Sequence, residues 1–198
     1  MPASMVFITR GEFGSNLWEV FKELQHGSDR AVAIVGGSIV ERCLELALIS
    51  HLHRNKKITD QLFRPSGAFG SFATKIHLGL LTGIYGSAGH KELAIVKDIR
   101  NKFAHSLDTV GFEAAQISAW AKNLKFGERY TSDMDKVAER DPTFDYKNTP
   151  HGDWPVWIGA SNRDETLRNP RGRFLLSIQT LTYGLSIPFN TAMPRPHF

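Results

Sequence analysis

Apolar residues recur at helical spacing along most of the chain. The longest such segment runs from residue 28 to about residue 53, with Ser28 or Asp29 as its N-cap. Two adjacent stripes hold its apolar residues: Val32, Val35, Ile39, Leu46 and Ile49 in one, and Ile34, Leu48 and Leu52 in the other. A helix that is apolar on two faces is central to its fold. Because Gly36 and Gly37 each cost about 1 kcal/mol relative to alanine in a helix, we expect another backbone to approach closely there.

Five further segments show the same periodicity. Ser15 and Ser71 are suitable N-caps for the first two, and Pro170 suits the first turn of the last. The segments are 14–25, a helix after Ser71, 89–105, 112–126 and 169–185. The predicted inward residues are Leu17, Val20, Phe21 and Leu24 in the first segment and Phe72, Ile76 and Leu80 in the second. They are Leu93, Val96, Ile99 and Phe103 in segment 89–105, and Phe174, Leu175, Ile178 and Leu181 in segment 169–185.

Residues 127–165 break this pattern. They combine three prolines with the aromatic residues Tyr130, Phe144, Tyr146, Trp154 and Trp157. A structureless loop of that length is unusual in a compact domain, and the aromatic residues argue against disorder, so we expect an ordered, irregular insertion. The sequence therefore predicts an all-α fold. It is a single domain over residues 1–198, a bundle of about six helices with this insertion before the last helix.

Composition excludes several classes of function. The formal net charge of +4 permits binding to a polyanion without requiring it. Cys43 is the single cysteine, which excludes an intramolecular disulfide and a cysteine-based zinc site, and we expect it to be buried. No apolar run reaches the roughly 20 residues that span a bilayer, and no signal-peptide pattern begins the chain, so we expect a cytoplasmic protein that binds no membrane. No helix matches the pattern of a DNA-reading helix.

We expect neither a metal ion nor another cofactor. His51 and His53 fall on different faces of a helix end, and His77 and Asp60 lack a third partner. The segment "SGAFGSF" is rich in glycine but has neither a preceding strand nor a following lysine with serine or threonine, so it is not a phosphate loop.

The segment "IVKDIRNKFAHS", residues 95–106, contains the candidate chemistry. At about 100° per residue, Asn101 and His105 lie about 40° apart on the helical wheel, and Asp98 shares their face. Arg100 lies about 140° from His105. Arginine matches phosphate oxygens, and histidine can transfer a proton near neutral pH.

These residues also allow a structural interpretation. Arg100 can pair with a buried acid, for which Glu41 is the first candidate and Asp29 the second. His105 can lie exposed at a helix C-terminus, where a cation is favoured. Lys75 can reach the face of Asp98, although a surface lysine is the commoner outcome.

Four blocks of the sequence resemble the mannitol-operon repressor (MltR) family. In order they are "SDRAVAIVGGSIVERCLELAL", "LFRPSGAFGSFATKIHLGLLTGI", "IRNKFAHS" and "NPRGRFLLSIQTL", and they span most of residues 28–183. The resemblance implies a helical bundle with a role in transcriptional control. The insertion at 127–165 is longer than this family leads us to expect.

The third block also resembles the signature of HEPN domains, in which arginine, a polar residue, a short spacer and histidine follow one another. Arg100, Asn101 and His105 match that pattern. HEPN domains are helical, commonly dimeric and often metal-independent ribonucleases. The resemblance implies that Arg100 holds a phosphate, His105 transfers the proton and Asn101 orients it, with Asp98 tuning His105.

Two hypotheses stay open at this point. In the first, the protein is a homodimeric, metal-independent endoribonuclease that acts on RNA. In the second, it is a non-catalytic regulator of the mannitol-repressor type, which acts on a protein partner in transcriptional control. Burial of Arg100 against Glu41 favours the regulator, whereas a common cleft that exposes both Arg100 and His105 favours the enzyme.

Overall fold

The computed structural model describes residues 17–52, 55–145, 147 and 162–186, and within them every regular element is a helix. The predicted all-α bundle is confirmed. In chain order the helices are α1 (Leu17–His26), α2 (Asp29–His51), α3 (Lys56–Phe63), α4 (Phe72–Leu81), α5 (Ser87–His105), α6 (Ala115–Lys122), α7 (Phe126–Arg140), α8 (Arg163–Arg168) and α9 (Pro170–Ser186). None of these described helices is both long enough and apolar enough to cross a bilayer.

Helix α2 lies at the centre of the bundle, where it contacts α1, α4, α5 and α9. Ser28 is its N-cap, because the Ser28 side chain accepts a hydrogen bond from the backbone N–H of Ala31. Residues on both predicted stripes are buried, among them Val32, Ile39, Leu46 and Leu48. The predicted central position of this helix is therefore confirmed.

The two glycines of α2 admit neighbouring side chains, and the expected close backbone is wrong. A Cβ atom at Gly36 would lie 2.4 Å from Cδ1 of Ile178 on α9. A Cβ atom at Gly37 would lie 2.8 Å from Cγ of Arg100 on α5. The pair therefore allows α9 and α5 to pack closely against adjacent faces of α2.

The main core lies between α2, α5 and α9. Phe112 connects α5 and α9, since its ring centroid lies 5.0 Å from that of Phe103 and 5.3 Å from that of Phe174. Cys43 is fully buried, as predicted, and this burial raises the pKa of its thiol to about 12. Such a thiol is an unreactive part of the core.

Helix α7 occupies residues 126–140, where the sequence predicted the beginning of an irregular insertion, and that part of the prediction is wrong. Its apolar residues Tyr130 and Met134 lie one turn apart and pack on Tyr183 of α9. The short helices α3 and α8 were also not predicted. The predictions for Ser15, His53, Tyr146, Trp154 and Trp157 fall outside the described residues.

A buried carboxylate on α5 fixes the start of α7. Glu92 is only 3% exposed, and it accepts hydrogen bonds from the backbone N–H groups of Lys125 and Phe126 at 3.0–3.1 Å and from Ser177 Oγ at 2.8 Å. No local side chain caps α7, so a residue from another helix satisfies its first N–H groups. Burial raises the pKa of Glu92, although these hydrogen bonds favour the ionised form.

Replacing Glu92 tests this tertiary cap. We expect Glu92→Ala to lower the free energy of unfolding by about 1–3 kcal/mol, because it leaves buried donors without an acceptor. Glu92→Gln should lower the free energy of unfolding less, since its amide oxygen can still accept hydrogen bonds from the N–H groups of Lys125 and Phe126. Denaturant unfolding of both variants measures the difference, and equal stability of Glu92→Ala and the wild type would contradict the assignment.

The stability of the wild type relative to Glu92→Gln should depend on pH, and the sign of that dependence follows from the pKa of Glu92. Because burial raises the pKa of Glu92 above its ordinary 4.5, its contribution to stability is fully present below that value. The contribution is lost as the pH rises through the folded-state pKa. The stability of the wild type relative to Glu92→Gln should therefore fall over that range.

Candidate functional site

Arg100 extends across the face of α2. Its aliphatic part lies over Gly37, and its Nη2 lies 3.3 Å from Oε2 of Glu41, one turn further along α2. The predicted contact between Glu41 and Arg100 is confirmed. Asp29, the second candidate partner, instead pairs with Arg171, whose Nη1 lies 2.8 Å from Oδ1 of Asp29. Gly37 is thus the residue that allows the arginine to reach Glu41.

Lys75 of α4 lies between two carboxylates of α2. Its Nζ is 2.9 Å from Oε1 of Glu41 and 2.6 Å from Oε2 of Glu45, and its side chain is only 5% exposed. The expected surface position of this lysine is wrong, because Glu41 and Glu45 require a cation where α4 covers them. Arg42 also pairs with Glu45. This charged cluster, Glu41, Glu45, Lys75, Arg42 and Arg100, connects α2, α4 and α5.

Arg100 is held on two sides and still reaches the surface. Its Nη1 donates a hydrogen bond to Oδ1 of Asn101 at 3.0 Å, and its Nη2 donates to Glu41. A guanidinium has five N–H donors, and these contacts with described residues use two of them. Its side chain is 29% exposed. Arg100 is therefore both oriented and able to donate to a ligand.

His105 is the last residue of α5, and it is exposed. It follows Asn101 by one helical turn, and no described residue forms a hydrogen bond with its ring. Arg30 of α2 holds the chain that leaves the helix, because its Nη2 donates to the carbonyl oxygens of Ser106 at 2.9 Å and Asp108 at 2.8 Å. Arg30 thereby fixes the backbone next to His105.

Asp98 does not contact His105 within the chain. It lies seven residues before His105, which is about 10 Å along the helix axis. Its carboxylate pairs instead with Nζ of the neighbouring Lys97 at 2.6 Å. The structure thus brings Arg100 and Asn101 into contact and places His105 one turn after Asn101. Asp98 lies one turn before Asn101, where it pairs with Lys97 and not with His105.

Sequence reasoning did not assign four residues to this site: Gly37, Glu45, Lys75 and Arg30. Gly37 was expected to admit a neighbouring backbone, and Lys75 was considered as a partner for the face of Asp98 or as a surface residue. A signal existed for two of them. Glu41 and Glu45 lie one turn apart in an otherwise apolar helix, which requires a cation from a neighbouring helix, and Lys75 lies next to the apolar Ile76. Nothing in the sequence indicates that Arg30 reaches carbonyl groups 76 and 78 residues away.

Among the residues that the structure describes, no group of three or more histidine, cysteine, aspartate or glutamate side chains could hold a metal ion. Comparisons with protein-family models, with curated proteins and with solved structures each found no match. The resemblance of the four sequence blocks to a known family therefore stays a prediction.

Replacing Lys75 tests the charged cluster. We expect Lys75→Met to lower the free energy of unfolding by about 3–5 kcal/mol, because Glu41 and Glu45 lose a shared, buried cation. The exposed Lys57→Met is the matched control and should change little. Combining Lys75→Met with Glu45→Gln should recover part of the loss. Equal stability of Lys75→Met and Lys57→Met in denaturant unfolding would show that the cluster is not required.

Proposed function

We propose that this protein is a homodimeric, metal-independent endoribonuclease of the HEPN type, with its phosphate site on α5. The observation that supports this proposal most is the arrangement of one arginine. The contacts with Glu41 and Asn101 orient Arg100 at the surface, with donors left for a phosphate, while His105, five residues further along α5, is open to solvent. A preoriented guanidinium loses little entropy when it binds an anion.

The chemistry requires no metal ion because RNA contains its own nucleophile. A base removes the proton of a ribose 2′-hydroxyl, and the oxygen attacks the adjacent phosphorus. The bond from phosphorus to the 5′-oxygen breaks, and that oxygen takes up a proton. The products are a 2′,3′-cyclic phosphate and a 5′-hydroxyl. In this proposal His105 transfers protons, and Arg100 stabilises the added negative charge on the phosphate.

A dimer would complete this sparse site. A two-fold axis perpendicular to α5, beside Asn101, would run the two copies of the helix antiparallel. Asp98 and His105 lie on either side of that point, so Asp98 of one protomer would face the partner's His105. The tuning of His105 by Asp98, which one protomer cannot provide, then becomes possible. Leu107 supports an interface there, because its side chain is fully exposed two residues after His105.

A second candidate function follows from the ion pair between Arg100 and Glu41. Arg100 pairs with Glu41 inside a cluster that joins three helices, which is a structural use of the arginine. This observation favours a non-catalytic regulator of the mannitol-repressor type, in which α5 serves the fold and a protein partner binds elsewhere. RNA that stays intact would favour this candidate over the enzyme.

Cleavage in the absence of metal tests the enzyme. The purified protein, incubated with mixed single-stranded RNA in excess EDTA, should yield fragments with 2′,3′-cyclic phosphate ends. Loss of a general acid–base group removes about 10²–10⁴-fold of the rate, so His105→Ala should slow cleavage by that factor. His26→Ala is the matched control, since His26 is an exposed histidine at the end of α1, and it should cleave like the wild type.

A second substrate tests the role of the 2′-hydroxyl. An oligonucleotide with 2′-deoxyribose at every position lacks the nucleophile and should remain intact. If His105→Ala cleaves RNA as fast as His26→Ala, or if the deoxy substrate is cut, the proposed enzyme is wrong.

The position of the dimer axis can be tested by cross-linking. Lys102 lies beside the proposed axis and is exposed, and the single native cysteine is buried. Lys102→Cys should therefore form a covalent dimer with a short bismaleimide. Lys122→Cys, an exposed position on α6, is the matched control and should not.

Light scattering of the unmodified protein completes this test, with a dimer expected at tens of micromolar. A monomer at that concentration, or equal cross-linking of the two variants, would contradict the shared site. A dimer without RNA cleavage would leave the assembly in place and remove the ribonuclease.

A further inference from the structure

Two histidines meet across the contact between α4 and α5, and neither belongs to the charged cluster. Nδ1 of His77 lies 3.1 Å from Nε2 of His90, and the ring centroids are 5.3 Å apart with an interplanar angle of 32°. The contact is open to solvent. A neutral imidazole has one N–H and one lone pair, so one ring donates this hydrogen bond and the other accepts it.

We propose that His77 and His90 form a bidentate site for a late divalent transition-metal ion, with Zn²⁺ as the reference ion. The distance between the two ring nitrogens supports this proposal. Imidazole nitrogen binds zinc at about 2.0–2.1 Å, so two such ligands lie about 2.9 Å apart at a right angle and about 3.3 Å apart at a tetrahedral angle. The observed 3.1 Å falls between these values. The nitrogens already have the spacing of two ligands of one ion.

Binding requires a shift of one proton between the nitrogens of a single ring. The ring that donates the hydrogen bond must present its lone pair at that nitrogen, so its proton moves to the other ring nitrogen by exchange with water. No net proton is released from the neutral pair. The remaining coordination positions would be filled by water, since no third ligand of the usual types joins the pair among the described residues. The site is therefore exchangeable, unlike a closed structural zinc site.

The choice of ion follows from the ligands. Imidazole favours Zn²⁺, Cu²⁺ and Ni²⁺, whereas Mg²⁺ and Ca²⁺ prefer oxygen ligands. The bound ion would join α4, which contains Lys75, to α5, which contains Arg100. Because the ion binds the folded pair and the unfolded chain does not keep the two histidines together, binding should stabilise the folded protein.

Thermal unfolding with zinc chloride alone tests this site on the full chain, without RNA. The wild type should unfold about 2–4 °C higher when free zinc is about five times its Kd. His77→Gln and His90→Gln should each lose this shift, because glutamine retains polarity without an imidazole lone pair. His26→Gln is the matched control for an exposed histidine and should keep it. Magnesium chloride should shift none of the proteins.

Titration calorimetry separates the outcomes. We expect one zinc ion per chain in the wild type, with affinity reduced at least tenfold in either histidine variant. Equal zinc shifts in the wild type and both variants would overturn the site, as would the absence of binding to the wild type. The ribonuclease assay contains EDTA and does not depend on this ion, so either proposal can fail without the other.

Discussion

Glu41 and Glu45 lie one turn apart on α2, a helix whose other buried residues are mostly apolar. A carboxylate that loses its water needs a cation or a set of hydrogen-bond donors. The sequence places that cation on α4, as Lys75, and adds Arg100 from α5 and Arg42 from α2 itself. The relative positions of α2, α4 and α5 are therefore restricted by charge as well as by apolar packing. The candidate site exists only because these helices are held in that register.

Helix α5 combines three tasks along one length. Near its beginning Glu92 faces inward and caps α7, which aligns α5 with α7 and α9. In its middle Arg100 crosses Gly37 and joins the charged cluster. At its end His105 is left in solvent while Arg30 holds the following carbonyl groups. A rigid helix fixed at both ends is a suitable support for a site, because it keeps Arg100 and His105 at a constant spacing.

The features that could be predicted from the sequence are those that depend on the local pattern of apolar and polar residues. The periodic apolar residues of α2, α5 and α9 located the core, and the carboxylate of Glu41 on an apolar helix face indicated its pairing with Arg100. The pattern failed for α7, whose few apolar residues are separated by charged ones. It also failed for Lys75, because burial of a lysine depends on carboxylates that are 30 and 34 residues away in sequence. The meeting of His77 and His90 depends on the register between α4 and α5, which no local pattern contains.

The contacts in the charged cluster determine whether the guanidinium of Arg100 is fully used in ion pairs or is still accessible to a ligand. Lys75 takes Oε1 of Glu41 at 2.9 Å and is almost fully buried, whereas Arg100 meets Oε2 at 3.3 Å and is partly exposed. Lys75 is shared between Glu41 and Glu45, so Glu41 has Arg100 as a second cation. The Arg100 side chain is 29% exposed, more than those of Lys75, Glu41 and Glu45. Glu41 therefore orients Arg100 while part of its guanidinium still reaches solvent, and an oriented, accessible guanidinium is what a phosphate requires.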